Sequence, residues 1–314
     1  MKHLLRYVLF IVMIALVALT VINFLTERLL KKQKEDVFGK LNEIFSGEEY
    51  YDALFLGSSR TLVQINPHIV DSILNSNSYN LGILGISIIE CKMLLNSYLK
   101  RHKPPQLLIL NVDMFSLNIH DTTSLFDFPI YFPYLDNPVV KKTMRNYTAS
   151  SKIVSVLPFL KLAFYDDFKK EMALKAFLHP KGNPENILYK GYAPKNLKWK
   201  ADSLISRFTI QYTRYGFNIL KEVLNICSEN KIKTAVIYAP QSDELNQHLN
   251  NFSVYKNLIK EICTESNVEF YDYSSIQLTK NRNYFYNHSH LNSQGADVFT
   301  ALLANEIKKK YKDL

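Results

Sequence analysis

Five short apolar runs, set between stretches of helical period, constrain this chain more than any other feature. The runs are residues 52–57, 79–81, 107–112, 233–238 and 268–271, and Gly, Ser or Pro punctuates most of them. Between or after them, residues 66–74, 86–100, 215–229, 254–266 and 293–311 carry apolar side chains at helical spacing. Regular alternation of this kind predicts a mostly parallel five-stranded sheet with crossover helices, an α/β fold built as a three-layer α/β/α sandwich. The chain has 314 residues, 47% of them hydrophobic, enough for one large domain carrying an insertion. That insertion is expected at about 115–207, where aromatic clusters (126–134 and 159–168) alternate with Pro and Gly breaks. Its rings either line a substrate cleft or pack onto the sheet domain.

Ahead of the alternating region lies a different solvent problem. After a short tail, 1–6, residues 7–26 carry no charge and at about 1.5 Å per residue are long enough to span a hydrocarbon core of about 30 Å. The run exceeds a typical signal-peptide core and lacks a small-x-small cleavage site, so a transmembrane anchor is expected rather than a cleaved leader. Lys2 and Arg6 precede the span while Arg28, Lys31, Lys32 and Lys34 follow it. A positive-inside count places the body in the cytoplasm, yet a large domain translocates largely regardless of its charge, which leaves the opposite orientation open. Leu29, Leu30, Val37, Leu41, Ile44 and Phe45 then continue the anchor as an amphipathic stem, 27–47, and the body runs from 48 to 314. The formal charge of +9 suits an anionic surface or simple solubility, and no nucleic-acid motif accompanies it. Cys91, Cys227 and Cys263 are far apart in apolar helical patterns, so they read as small buried hydrophobes; neither a metal nor a cofactor is expected.

Two polar stretches fall where such a sheet places its chemistry. The first run ends in Gly57-Ser58-Ser59, a small hydroxyl residue delivered to a tight turn. The loop before the last helix, 284–292, contains Asn287, His288 and His290, and it lies at the same sheet edge, so His290 can reach Ser59. With His290-Leu291-Asn292 near the end and Gly57-Ser58-Ser59 near the start, the chain resembles the SGNH hydrolase superfamily over residues 51 to about 310. More narrowly it is similar to a membrane-anchored branch whose first block reads Gly-Ser-Ser, which includes the D-alanine transfer protein of teichoic acid synthesis and the acetyltransferase-like proteins of alginate export.

That resemblance implies Ser59 as nucleophile and His290 as its base, with an oxyanion hole from the amides of Ser59 and Gly85. The third oxyanion donor aligns with Asp113, although Asn111 sits two residues earlier; an ionised carboxylate would repel an oxyanion, and Asp113 would then bind a main-chain amide or cap a turn. The acid that orients the histidine falls on Asn287, an amide, leaving Asp272 or Asp113 as conceivable substitutes and His288 as an alternative base. The resemblance further implies a membrane-anchored O-acyl esterase or O-acyltransferase that acts on cell-envelope or exported polysaccharide. Its body would be extracytoplasmic, periplasmic or at the cell surface, beside a multispanning membrane acyltransferase. Asn287 and Asp113 also motivate a competing expectation, a degenerate body that binds glycan or holds an acylation complex together.

Overall fold

A computed structural model describes residues 1–119, 125–200 and 206–311. The chain divides into two compact units, one formed by Met1–Gly47 with Thr122–Ile187 and the other by Glu48–Asp121 with Leu188–Leu314.

The second unit contains the sheet. Its strands are β1 (Ala53–Leu56), β2 (Ser78–Asn80), β3 (Leu107–Asn111), β4 (Lys233–Tyr238) and β5 (Glu269–Asp272), all parallel, in the order β2-β1-β3-β4-β5. The α/β class and the five strands agree with the sequence pattern. β1 and β3 are buried along their whole length, as continuous apolar runs in a sheet covered on both faces must be. One side of the core joins Phe55, Ile109 and Ile237 to Phe299 and Leu303 of the closing helix Ser293–Lys310. In this order the chain leaves β1 toward one edge and returns through β3 on the other side, so the switch point lies at the C-terminal ends of β1 and β3.

Two elements depart from expectation. A short helix, Ser59–Gln64, follows β1 at once; its Arg60, Thr61, Val63 and Gln64 are all buried, so it shows no polar face from which helical period can be read. Where a loop was expected before the closing helix, there is a small antiparallel hairpin, β6 (Phe285–Asn287) and β7 (His290–Leu291). Strands this short carry no alternation signal.

The first unit begins with the helix Lys2–Leu30, long and apolar enough to cross a membrane. It does not run on as a continuous stem. Asn42 Nδ2 donates to the carbonyls of Leu30 (2.9 Å) and Gln33 (2.8 Å), closing the helix end, and Asp36 at φ 51° starts a separate helix, Asp36–Ser46. That helix buries Phe38, Leu41, Ile44 and Phe45. The unit is completed by the helices Pro138–Tyr147, Ser151–Val156 and Asp167–Leu178 and by the 3-10 turns Phe128–Tyr134 and Pro158–Phe164. Among the aromatics assigned to the insertion, Phe132 and Tyr165 are buried and pack on one another at 6.1 Å. The expected insertion, 115–207, crosses the division between units: 122–187 belong with the N-terminal segment and its flanks with the sheet. Its residues 120–124 and 201–205 lie outside the described residues.

Candidate active site

The turn after β1 is shaped by what cannot fit there. Gly57 has φ 153°, and a Cβ at this position would run into the Thr61 side chain and lie 2.9 Å from the Asn111 carbonyl. Only glycine satisfies both limits. The carbonyl of Gly57 accepts from Ile83 N–H at 3.1 Å, tying the turn to the loop that leaves β2. Asn80, buried at the end of β2, donates through Nδ2 to the carbonyls of Thr61 (2.7 Å) and Ile65 (2.8 Å) and accepts from Gly82 N–H at 2.9 Å. Ser59 therefore opens a helix braced at both ends, its hydroxyl half-buried at the switch point. Its N–H, in the first turn, has no acceptor within the helix.

His290 meets it from the far end of the chain. The Ser59 hydroxyl lies 2.8 Å from His290 Nε2, and His290 Nδ1 lies 3.0 Å from Asn287 Oδ1. The same Asn287 oxygen accepts the backbone N–H groups of Ser289 and His290, each at 2.9 Å. Flipping the amide would turn its NH2 toward two donors, so the backbone fixes which end faces the ring. With an oxygen opposite Nδ1, the proton resides on Nδ1, and Nε2 is free to accept from Ser59. Tyr286 stacks on the imidazole at 5.5 Å and 11°. Burial pushes His290 down to about 4; the Arg60 charge and, less, Lys195 add to the shift, while Asp113 opposes it. The ring is thus neutral near pH 7, the state a general base requires.

No protein-family model matches the chain, and no curated protein sequence matches it. Many solved structures are similar to it, two of them as follows. One is a GDSL-like lipase from Bacteroides thetaiotaomicron, at 13% identity over 82% of this chain and 88% of that one, with a TM-score of 0.39. The other is a family two carbohydrate esterase from Clostridium thermocellum in complex with cellohexaose, at 10% identity over 83% of this chain and 65% of that one, with a TM-score of 0.40.

The remaining expected residues divide. Asp113 is corrected as an oxyanion donor: one carboxylate oxygen accepts the Ser58 hydroxyl, and the other accepts Phe115 N–H (3.0 Å) and the Ser116 hydroxyl (3.1 Å). Its carboxylate holds the turn after β3 and the residue beside the nucleophile, and it points no proton at a substrate. Asn111, at the end of β3, accepts Ala239 N–H at 3.0 Å through Oδ1, while its buried Nδ2 has no hydrogen-bond partner among the described residues. Gly85 sits exposed at φ 73° in the loop beyond Ile83, two residues from the bond to Gly57. Neither substitute acid is hydrogen-bonded to the histidine: Asp272 pairs with Lys256 at 2.6 Å, and Asp113, whose charge reaches the ring only at a distance, is occupied as described. His288 faces Ser242 (3.4 Å) and Glu244 (3.7 Å) and packs edge-on to Trp199, so the hairpin aims it away from the Ser59 hydroxyl.

Sequence reasoning missed Arg60. It is buried directly after Ser59, with Nη1 donating to the Ala239 carbonyl at 2.9 Å and its guanidinium 4.5 Å from the Tyr238 ring. Its adjacency to Ser59 was the available signal, but charged residues are seldom buried and nothing local marked this one. Among the described residues, no three His, Cys, Asp or Glu side chains gather to hold a metal ion.

Proposed function

We propose that this chain is a membrane-anchored, serine-dependent O-acyl esterase or O-acyltransferase whose acyl acceptor or substrate is a glycan. The observation that carries this reading is the linear arrangement Ser59–His290–Asn287, with contacts of 2.8 and 3.0 Å and a tautomer set by the backbone. In the proposed reaction Ser59 Oγ attacks an acyl carbonyl as its proton passes to His290 Nε2. The N–H groups of Ser59 and Gly85 receive the developing oxyanion. His290 returns the proton to the leaving alkoxide, giving an acyl-serine and an alcohol. Water or a sugar hydroxyl then attacks the acyl-serine by the reverse route. Asn287 orients the imidazole without lending it charge, which makes this a weaker relay than one ending in a carboxylate.

A cavity of about 660 Å³ beside the hairpin that carries His290, itself lined by neither Ser59 nor His290, offers a neighbouring subsite whose chemistry favours a glycan over a simple lipid ester. It is lined by Lys198, Trp199, Asn283, Tyr284, Asn292 and Gln294, an indole among amides, the mixture that suits a sugar's apolar face and hydroxyl rim. The helix Lys2–Leu30 supports the anchor. An extracytoplasmic body and a multispanning acyl-transporting partner belong to the same reading, which the resemblance to membrane-anchored acyl-transfer proteins motivates.

The test is labelling of the detergent-solubilised full chain with a fluorophosphonate probe, alongside acetyl-ester hydrolysis. Labelling and turnover that vanish in Ser59→Ala are expected. An unlabelled, folded protein that still binds oligosaccharide would replace this reading with the glycan-binding or scaffold role.

A further inference from the structure

The unit formed by residues 1–47 and 122–187 turns large apolar side chains outward. Ile153, Val156 and Leu157 lie at helical spacing on and just after the helix Ser151–Val156, and Leu174, Phe177 and Leu178 repeat that spacing on the last turns of Asp167–Leu178. Val156 is 78% exposed and Phe177 67%. Leaving such a side chain in water forgoes about 1.5–3 kcal/mol each, and two clusters of three exceed what scattered surface residues need.

Their place relative to the N-terminal helix identifies what covers them. Glu27 is the first acidic residue after the uncharged run 7–26, so in a membrane it marks the level of the headgroups. Lys161 pairs with Glu27 at 2.7 Å and Tyr165 donates to it at 3.4 Å, which fixes the turn Pro158–Phe164 at that level. Gln33, just past the helix end, donates to the Met172 carbonyl at 2.8 Å and holds the helix Asp167–Leu178 beside the same exit point. Both clusters are thus attached where the spanning helix leaves the hydrocarbon. The neighbouring helix Pro138–Tyr147 exposes Lys141, Lys142 and Arg145 on one side, which suits anionic headgroups.

We propose that this unit is a collar seated in the membrane interface, with its two apolar clusters inserted at the headgroup–acyl boundary around the exit of the N-terminal helix. The occupant is lipid, because the clusters flank a helix of membrane-crossing length and a basic face accompanies them. The inference rests on reading Lys2–Leu30 as a membrane span.

Full-length Trp199→Phe protein carrying Val156→Trp or Phe177→Trp, reconstituted into phosphatidylcholine–phosphatidylglycerol vesicles with brominated acyl chains, tests it. Both positions are already exposed, so the new indole displaces no core. About half or more of the fluorescence should be quenched by the brominated lipid, as expected for a ring at the acyl boundary. Replacing Lys141, Lys142 and Arg145 together by Gln should remove the extra quenching conferred by the anionic lipid. Protein that floats with vesicles but keeps both indoles unquenched and open to acrylamide would overturn the collar while leaving the span intact. Shielding seen only in native membranes would overturn it in favour of a protein partner. Protein that fails to float would overturn the span, and the collar with it.

Discussion

The two units of this molecule solve opposite solvation problems. The sheet unit hides its central apolar strands and leaves a few polar groups at one edge: β1 and β3 are buried throughout, while Ser59 and His290 remain half-open at the switch point. The N-terminal unit keeps a modest interior around Phe38, Phe132 and Tyr165 and puts Val156, Phe177 and Leu178 outside. The first arrangement is stabilised by expelling water from itself, and the second is complete only when something other than water surrounds it. All the groups proposed to act in chemistry, from Gly57 to His290, belong to the sheet unit.

The sharpest way to break that division is to ask which unit turnover depends on. Ser59→Ala should lower acetyl-ester hydrolysis by about 10³-fold or more with the melting temperature unchanged, measured in detergent. In the same assay Phe177→Ser should leave turnover of a soluble ester near wild type; a comparable loss would end the separation of roles. Gly57→Ala comes next. It should destabilise the sheet unit by about 2–4 kcal/mol in a denaturant titration, because it adds both overlap with Thr61 and an unfavourable φ.

Asn287→Asp should raise turnover by about tenfold or more, since a carboxylate would accept the same three donors and also stabilise imidazolium. No gain would mean that the amide is not the limit on this relay. The smallest effect concerns pH. With His290 at about 4, the acid limb of kcat/KM should fall near pH 4 instead of near the ordinary 6.5, and Arg60→Met should move it upward by removing a nearby positive charge. The same shift bears on stability. A histidine whose folded value is depressed binds protons more readily when unfolded, so its contribution is complete above pH 6.5 and is lost as pH falls toward 4.

Much of the sheet unit was legible because its signals are redundant. Residues 233–238 form β4 as expected, and Asn66 caps the helix Pro67–Leu74 through a bond from His68 N–H at 3.1 Å. The pairing of Ser59 with His290 was also accessible, since topology brings both to one edge. The role of Asn287 was only half legible. Its side chain suggested a defect, whereas the backbone donors that orient its oxygen come from hairpin geometry too short to leave a pattern. Asp113 was likewise half legible: its charge argued against an oxyanion donor and for a bond to a main-chain amide, which Phe115 N–H supplies, but its partners Ser58 and Ser116 are set by a turn that residue spacing does not encode. The division at 122–187 was hidden because aromatic clusters look alike whether they pack on a sheet or on the N-terminal segment.

The separation of Ser59 from His290 by 231 residues has a consequence for the birth of the protein. Synthesis at about 5–20 residues per second leaves tens of seconds between the emergence of the serine and that of its base. During that interval the N-terminal helix is already available for insertion, while the hydroxyl has nothing to take its proton. Acyl-transfer competence would therefore be among the last properties the chain acquires, after its delivery to the membrane has begun.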